Sequence, residues 1–297
     1  MLKHILVTGA TGKQGGAVVR SLVSINRTTI QFAILALTRN SLSRSAQSLA
    51  SQPNVTLIEG DLNDIPAIFD KLSRPLHGIF SVQTAGSSKI EEEQGKRLVD
   101  AAVKVNVKHF IYSSVDRGGP KHSDENATPI SHFITKFNIE KHLQATAGAM
   151  KYTIIRPVGF MDNFTSDFFG AAMSSMLRLN GEQSRFQLVS TRDIGNVTGL
   201  AFAKEEEFIG RCISLAGDEL SWAELNEVFQ KVTGMPAPTT YWIVGVTLRW
   251  MLRVQMNWFR DFGFEADIEE CKRLLPGLLG FEQWLIEESG FLGHSEI

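Results

Sequence analysis

Three glycines, spaced GxxGxxG, stand where the first apolar segment of the chain gives way to its first helical segment. The loop has the sequence Gly9-Ala10-Thr11-Gly12-Lys13-Gln14-Gly15. The first glycine permits a sharp turn, the second lets the backbone approach a ligand, and the third lets a helix pack against a sheet. The apolar residues from His4 predict a strand before the loop, and Lys13 to Ser24 predict a helix after it. This order of elements predicts an α/β fold for the start of the chain.

The same loop indicates a ligand. The first backbone N–H groups of a helix have no partner within the helix and carry positive potential, which suits a phosphate. We therefore expect the loop to bind the pyrophosphate of a dinucleotide; the alternative is a glycine-rich turn that binds nothing. The expected contacts are Gly9, Thr11, Gly12, Lys13, Gln14 and Gly15. The spacing GxxGxxG, rather than GxGxxG, is that of the short-chain dehydrogenases.

Apolar segments and helical segments alternate through the first half of the chain. The predicted strands are His4–Gly9, Phe32–Arg39, Val55–Asp61, Gly78–Gln83, His109–Val115 and Tyr152–Pro157. They are near-continuous apolar runs, as a sheet buried on both faces requires. Alternation with helices implies parallel strands and right-handed crossovers. We predict a doubly wound parallel sheet of the Rossmann type, with its ligand beyond the carboxyl ends of the strands.

The length of 297 residues leaves room for a second, smaller domain. The alternation of strands and helices loosens after Pro157, and the remaining segments are mostly helical. We predict a dinucleotide-binding domain over residues 1–157, to which 186–204 return. We assign 158–185 and 205–297 to a smaller, mostly helical α/β cap that binds a substrate or a partner.

Composition narrows the classes of partner. The net charge of −2 lacks the basic excess that direct binding to nucleic acid or to an anionic membrane needs. The chain has two cysteines and no CxxC pair or Cys/His cluster, so we expect no metal site. The apolar stretch Tyr241–Val254 is too short to span a membrane, and a buried or partner-packed helix is favoured over an anchor. Residues 1–24 lack a signal-peptide layout, which favours a cytoplasmic location.

The end of the second strand bears on the choice of dinucleotide. An NAD site usually places Asp or Glu there, whereas this chain has Leu37-Thr38-Arg39-Asn40. Arg39 can pair with the 2′-phosphate of NADP(H), or it is a solvent-exposed arginine at a strand end. Asp61, at the end of the third strand, lies either beside the adenine or at a helix cap. The sequence therefore favours NADP(H) over NAD(H).

The chain resembles a known family, the NmrA-like branch of the atypical short-chain dehydrogenases, and it looks most like the fungal members. The resemblance extends nearly from end to end. The matching stretches are Val7–Gly16, Ile111–Val115, His132-Phe133 with Lys136, Ile155–Pro157 and Asp261–Asp267.

The resemblance implies the fold and an NADP(H) site but leaves turnover open, because the family contains two kinds of protein. Some members look like NADPH-dependent reductases of small aromatic or polyketide-like molecules. Others resemble redox sensors that bind the dinucleotide and regulate a transcription factor, for which a nuclear location is also open. We favour a reductase of a small apolar metabolite. The alternatives are a non-catalytic sensor with a protein partner and a non-redox isomerase or dehydratase.

The catalytic motif of the short-chain dehydrogenases is altered in this chain. The resemblance places Lys136 at the lysine of the Tyr-x-x-x-Lys motif, but His132 occupies the tyrosine position. Either Lys136 or His132 is then the acid or base, or the site is inert and Lys136 only binds ribose. With Glu140, the two could also be no more than a solvated helix face. Ser113 and its neighbour Ser114 fall where the motif's serine lies, and either orient a carbonyl or close the strand.

The remaining predicted contacts lie after the fourth and sixth strands. Gln83 and Pro157 are expected on the nicotinamide side of the cofactor. Four phenylalanines then follow at helical spacing, a pattern more typical of a core than of a substrate pocket. They are Phe160, Phe164, Phe168 and Phe169. Of these residues, Phe160 and the intervening Asn163 are the candidate substrate contacts, with Asn163 as the polar group that faces the pocket.

Overall fold

A computed structural model describes residues 2–29, 31–72, 74–83, 87–181 and 184–292, with the side chains of all of these except 242, 243 and 248. Within these ranges the chain forms ten strands and fourteen α-helices. The strands are β1 (Lys3–Val7), β2 (Phe32–Thr38), β3 (Val55–Glu59), β4 (Gly78–Ser81), β5 (His109–Ser113), β6 (Lys151–Pro157), β7 (Gly159–Phe160), β8 (Arg185–Val189), β9 (Cys212–Leu215) and β10 (Asp218–Ser221).

The helices alternate with the first six strands and dominate the rest of the chain. They are α1 (Lys13–Thr28), α2 (Arg44–Ala50), α3 (Ile65–Asp70), α4 (Ser88–Lys104), α5 (Gly119–Glu125), α6 (Ser131–Thr146), α7 (Phe168–Leu179), α8 (Thr191–Ala203), α9 (Glu205–Phe208), α10 (Trp222–Thr233), α11 (Trp242–Met251), α12 (Arg253–Asp261), α13 (Ile268–Leu274) and α14 (Phe281–Glu287). None of the described helices is both long and apolar enough to cross a membrane.

The chain divides into two compact units. The first comprises residues 1–115, 131–156 and 194–213. Its seven-stranded sheet has the order β3-β2-β1-β4-β5-β6-β9, and β1 to β6 pair in parallel. The fold is the predicted doubly wound Rossmann-type α/β fold. The change of direction on either side of β1 creates the switch point beside which such sheets bind ligands.

Buried aliphatic and aromatic side chains from strands and helices hold the first unit together. Four side chains of the sheet are fully buried: Leu6, Ile79, Phe110 and Ile154. Burial of each such side chain contributes roughly 1.5–3 kcal/mol to the free energy of folding. Helix α8 packs closely on α1 through two glycines. A Cβ on Gly195 would lie 2.5 Å from the carbonyl carbon of Ala17, and one on Gly199 would lie 2.3 Å from the Ser21 hydroxyl.

The second unit comprises residues 116–130, 157–193 and 214–297. Its three-stranded sheet has the order β10-β8-β7, in which β8 pairs antiparallel with β10 and parallel with β7. Helices cover this sheet, and Phe281 stacks on Trp284 in their core at 5.7 Å between ring centroids. Buried Asp116 fixes the loop around it, because its carboxylate accepts from the backbone N–H groups of Gly118, Gly119 and Glu265.

These two units differ in extent from the predicted domains. Residues 116–130 fall in the second unit, β8 is the central strand of the small sheet, and the return to the first unit begins at 194 rather than 186. Strand β9 extends the large sheet, whereas the sequence predicts that residues 205–297 belong to the cap. A short apolar run predicts a strand but not the sheet that it joins, because its partners are distant in sequence.

Several predicted strands end too late at the carboxyl edge of the sheet, where Thr8, Gly9, Val82 and Gln83 already belong to loops. The stretch Tyr241–Val254 is likewise not one buried helix. It divides at Leu252 into α11 and α12, and part of it is exposed.

Candidate functional site

The glycine loop joins β1 to α1 at the carboxyl edge of the sheet. Gly9 has a φ of +58°, in the left-handed region that glycine tolerates best. A Cβ on Gly15 would lie 2.2 Å from the carbonyl oxygen of Gly9, so only glycine fits there. Thr8 fastens the loop to the neighbouring strand end, because its hydroxyl donates to the Val82 carbonyl and accepts from the Val82 N–H, both at 2.8 Å.

The N-terminus of α1 is open to a ligand. Its N-cap is Gly12, which makes no side-chain capping bond, and the first turn of the helix contains no acidic residue. Thr11, Gly12 and Lys13 are exposed, while Gln14 is half-buried. This helix end therefore presents backbone donors without a competing carboxylate, as a pyrophosphate requires.

The ends of β2 and β3 lie side by side, with Thr38 in register with Glu59. Arg39 is exposed in the loop that follows β2. The carboxylate of Glu59 accepts from the Ser41 hydroxyl at 2.5 Å and from the Ser41 N–H at 3.0 Å, and these hydrogen bonds lower the pKa of Glu59. Sequence reasoning missed this carboxylate, which parallel pairing brings from the next strand to the loop after Arg39.

Asp61 and Asp64 have different local roles. Asp64 is the N-cap of α3, because its carboxylate accepts from the N–H of Ala67 at 3.2 Å. Asp61 accepts from the N–H of Asn63 at 2.8 Å in the turn before the helix. A contact between Asp61 and the adenine remains a prediction.

Gln83 is buried just beyond the end of β4. Its amide nitrogen donates to the Ser81 hydroxyl at 2.9 Å, whereas its amide oxygen has no hydrogen-bond partner among the described residues. A buried acceptor without a donor is costly, at about 1–3 kcal/mol. This buried acceptor without a partner lies at the carboxyl edge of the sheet, as does the loop in which only glycine fits at position 15. The two features together fit a polar ligand such as a dinucleotide.

Lys136 lies in the second turn of α6, where its ammonium contacts a buried carboxylate. Lys136 Nζ is 2.8 Å from Glu91 Oε1, and the two side chains are 17% and 5% exposed. The close packing of α4 on α6 makes this pair possible, because a Cβ on Gly95 would lie only 2.5 Å from Ile139. Glu91 lies one turn before Gly95, and sequence reasoning missed it because the pairing depends on contact between two helices.

His132 lies one turn before Lys136 and is half-buried. Its ring packs edge-to-face against Phe133, with 4.7 Å between the ring centroids. Burial lowers the pKa of His132, and the positive charge of Lys136 lowers it further. The imidazole is therefore neutral at neutral pH.

The hydroxyls of Ser113 and Ser114 are both engaged within the first unit. Ser113 donates to the side-chain amide oxygen of Gln14 at 2.6 Å, which links the end of β5 to the glycine loop. Ser114 donates to Glu140, which also accepts from Arg156 at 2.6 and 3.1 Å. Glu140 and Arg156 are fully buried, so the proposal of a solvated face through His132, Lys136 and Glu140 is wrong.

The remaining predicted contacts belong to the second unit. Pro157 is buried at the end of β6, Phe160 is half-buried in β7, and Asn163 is half-buried in a short 3-10 helix over Met161–Asn163. The phenylalanine stripe is not one face of a helix: Phe164 is buried in the core, whereas Phe168 and the adjoining phenylalanine begin α7 and are exposed. The spacing of the four phenylalanines predicts a single helix, but α7 begins only at the third of them, Phe168.

The second unit also contains a cavity of about 490 Å³. Its lining includes Arg185, Gln187, Phe259, Phe262 and Phe264. Neither of the two predicted substrate residues is in this lining. No group of three metal-binding side chains occurs within the described ranges.

The model of the NmrA-like family matches residues 1–270. The chain belongs to the NmrA-like family. An NmrA-like family domain-containing protein of Dictyostelium discoideum is 30% identical over 244 residues, which cover 78% of each chain. An NmrA-like family domain-containing oxidoreductase of Aspergillus hancockii is 27% identical and covers 78% of this chain and 73% of its own.

A solved structure of similar fold is that of NmrA, a negative transcriptional regulator, in complex with NADP. It has a TM-score of 0.74 at 22% identity and covers 97% of this chain and 95% of its own. The proteins similar to this NmrA-like chain therefore include one named as an oxidoreductase and, by similarity of fold, one named as a regulator.

Proposed function

We propose that this chain binds NADP(H) at the carboxyl edge of the seven-stranded sheet and uses it to reduce a small apolar metabolite of an aromatic or polyketide-like class. The glycine loop supports binding of the pyrophosphate, and Arg39 would pair with the 2′-phosphate. The relation to a protein named as an oxidoreductase supports turnover, and the similar fold of a regulator solved both with NADP and with NAD supports a dinucleotide at this edge. The observation that best supports catalysis by this chain is the contact of Lys136 with buried Glu91.

Lys136 and Glu91 both lie near the N-termini of their helices, at the edge where the strands end. Bound NADPH supplies a hydride, and the reduced product then needs a proton on the adjoining atom. The Lys136 ammonium is the donor that we propose, with Glu91 holding it in place until it transfers the proton and regains one from water.

His132 is less suited to this role at neutral pH, because its lowered pKa leaves the imidazole without the proton that an acid must give. Ser113 is also a weaker candidate, because its hydroxyl already donates to Gln14. In this proposal Ser113 fixes the glycine loop, and the contacts of Gln83 and Pro157 with the nicotinamide and of Phe160 and Asn163 with substrate stay predictions.

The test is an assay of purified protein with NADPH and a panel of quinones and aromatic ketones, with loss of the NADPH absorbance and product mass as readouts. We expect Lys136→Met to lower kcat by about 10²–10⁴-fold, whereas His132→Phe retains most of the rate. Parent rates in both variants would exclude both residues as the acid and would point to water, or to Tyr112 or Ser113 on β5, as the donor.

A sensor is the second candidate, because position 132 carries histidine where the short-chain dehydrogenases carry their catalytic tyrosine. A redox sensor must bind NADP⁺ and NADPH with different affinities, since only differential affinity shifts a conformational equilibrium. Titration with each form, in the absence of turnover across the panel, would support this candidate. Equal affinities for the two forms would exclude it.

A further inference from the structure

The cavity of about 490 Å³ in the second unit has an aromatic corner. The rings of Phe259 and Phe264 line it, with 5.1 Å between their centroids and 67° between their planes. The ring of Phe262 also lines the cavity and is 62% exposed. Three aromatic rings therefore border one volume of the size that holds a small ligand.

A glycine turn at the end of α12 brings these rings to the same cavity. The helix ends at Asp261, and Gly263 follows in the left-handed region, with a φ of +75°. The N–H groups of Phe262 and Gly263 both donate to the Trp258 carbonyl, as at many glycine-terminated helices. The chain thus reverses between the two phenylalanines that flank the glycine, while the third lies in the last turn of the helix.

Hydrogen bonds from neighbouring segments hold the backbone of this corner. The buried amide of Gln187 on β8 donates to the Ala266 carbonyl at 3.0 Å and accepts from the Ala266 N–H at 2.8 Å. The N–H of Glu265 donates to the buried carboxylate of Asp116 at 3.1 Å. Because the segment after Phe264 is already fixed, a ligand loses little affinity to ordering of the cavity wall.

The charged side chains of the cavity favour a cation over an anion. The lining contains three carboxylates and two guanidinium groups, from Glu219, Glu265, Asp267, Arg185 and Arg260. Both arginines already pair with carboxylates: Arg260 with Asp261 at 2.8 Å, and Arg185 with Glu219 at 3.1 Å and Glu224 at 3.0 Å. The Glu265 carboxylate is exposed and has no ion-pair partner among the described residues. An anion would have to displace a carboxylate from an arginine, whereas a cation would not.

We propose that this cavity binds a small organic cation with a methylated ammonium head, whose methyl groups contact the phenylalanine rings and whose charge is balanced by Glu265. Such a group suits aromatic walls because the faces of the rings attract its charge while its methyl groups pack against them. Every lining residue belongs to the second unit, and none is among the residues proposed for NADP(H), proton transfer or the apolar substrate. The inference therefore goes beyond the proposed reduction and does not depend on it.

The experiment titrates the full chain with two probes of nearly equal shape, choline and 3,3-dimethylbutan-1-ol, in which carbon replaces the charged nitrogen. Calorimetry or ligand-observed NMR measures the affinities at pH 8, where an ordinary histidine such as His122, whose ring contacts Phe262, is neutral. We expect saturable binding of choline with a Kd on the order of 1 mM. The uncharged probe should bind at least tenfold more weakly, because it lacks the attraction of a cation to the rings and carboxylates.

Two substitutions at exposed positions separate the aromatic and the ionic contributions without disturbing the core. Phe262→Ala should weaken choline binding about fivefold. Its matched control is Phe168→Ala, at a residue of the same unit that is 66% exposed and outside the lining. Glu265→Gln should weaken choline binding about threefold and leave binding of the uncharged probe unchanged. Its control is Glu227→Gln, an exposed residue of α10. The double variant Phe262→Ala with Glu265→Gln should lose at least tenfold.

Absence of saturable choline binding by the folded parent would overturn the proposal. Equal affinities for choline and the uncharged probe would also overturn it, because the cavity would then not select a cation. Parent affinity in the double variant would place the choline outside this cavity. A trimethyl-lysine peptide that bound where choline did not would make the occupant a protein segment, and the proposal of a small ligand would be wrong.

Discussion

The two edges of the seven-stranded sheet use polar residues in opposite ways. At the amino edge, charged side chains pair with one another. Lys3 and His77 both lie 2.6 Å from the carboxylate of Glu205. Buried His109 bonds through Nε2 to the hydroxyl of Thr153 at 2.9 Å, while its Nδ1 has no hydrogen-bond partner among the described residues. These contacts close that edge of the unit.

At the carboxyl edge, polar groups are held in place but directed outwards or left without a partner. The N-terminus of α1 is uncapped by a side chain, Arg39 is exposed, and the amide oxygen of Gln83 is buried without a hydrogen-bond partner among the described residues. Ser113 and Glu91 position Gln14 and Lys136. The contrast teaches that the amino edge contributes to stability, whereas the carboxyl edge keeps its polar groups for a ligand.

The largest effect is expected from Gly15→Ala at the carboxyl edge. The added Cβ would lie 2.2 Å from the Gly9 oxygen and 2.7 Å from the Thr8 oxygen, so the loop must move. We expect at least a ~100-fold loss of NADPH affinity and a loss of about 3 kcal/mol in the free energy of unfolding. Titration calorimetry and denaturant unfolding measure the two effects.

Gly16→Ala is the matched control, because its Cβ would meet no atom closer than the Ala10 oxygen at 3.3 Å and helix propensity favours alanine. A Gly15→Ala protein that bound NADPH like the parent would remove the loop from the proposed site.

The second prediction concerns the amino edge. Burial alone would raise the pKa of Glu205, but hydrogen bonds and positive charge from His77 and Lys3 outweigh it and lower the pKa to about 2. Glu205→Gln should therefore destabilise the protein by ~1–3 kcal/mol near pH 7. Because a depressed acid pKa stabilises the fold above the unfolded value near 4.5, this difference should shrink as the pH falls from 4.5 towards 2.

His109 adds a second acid-sensitive contribution at the same edge. Burial lowers the pKa of its imidazole to about 4. The unfolded chain binds the proton more readily, so this contribution is present above pH 6.5 and is lost as the pH falls towards 4. Glu205→Gln should leave this second contribution largely in place. A pH-independent difference between Glu205→Gln and the parent would contradict the role given to the amino edge.

Two substitutions near the proposed 2′-phosphate position should have smaller effects of opposite sign. Arg39→Ala should cost ~1–3 kcal/mol of NADPH affinity and scarcely change NADH affinity, because the fork of charge-assisted bonds is lost. Glu59→Gln removes a negative charge near the same loop and should raise NADPH affinity a few-fold. Neither should change the unfolding free energy appreciably, since both side chains are exposed. Equal losses of NADPH and NADH in Arg39→Ala would contradict the role of Arg39.

The elements that the sequence predicted well are those with a local signature. The glycine loop and the six parallel strands each depend on a few neighbouring residues. The pairing of Lys136 with Glu91 depends on Gly95 meeting Ile139, which are far apart in the chain. No periodicity in one segment reveals such a contact.

Two errors about charged residues have the same origin. Glu140 follows Lys136 by four residues, a spacing that predicts one solvated side of the helix. Glu140 is instead buried, because it pairs with Arg156 on β6. Glu59 was overlooked because only the parallel register brings it next to the residues after β2. Local spacing gives the position of a side chain around its own helix or strand, whereas burial and pairing depend on the element packed against it.

The most direct test of the central claim is isothermal titration of the parent protein with NADPH and with NADH. The account predicts one site per chain and tighter binding of NADPH than of NADH, because the open helix end binds the pyrophosphate of both and Arg39 favours the 2′-phosphate. Protein that is folded by circular dichroism and binds neither dinucleotide would contradict the account.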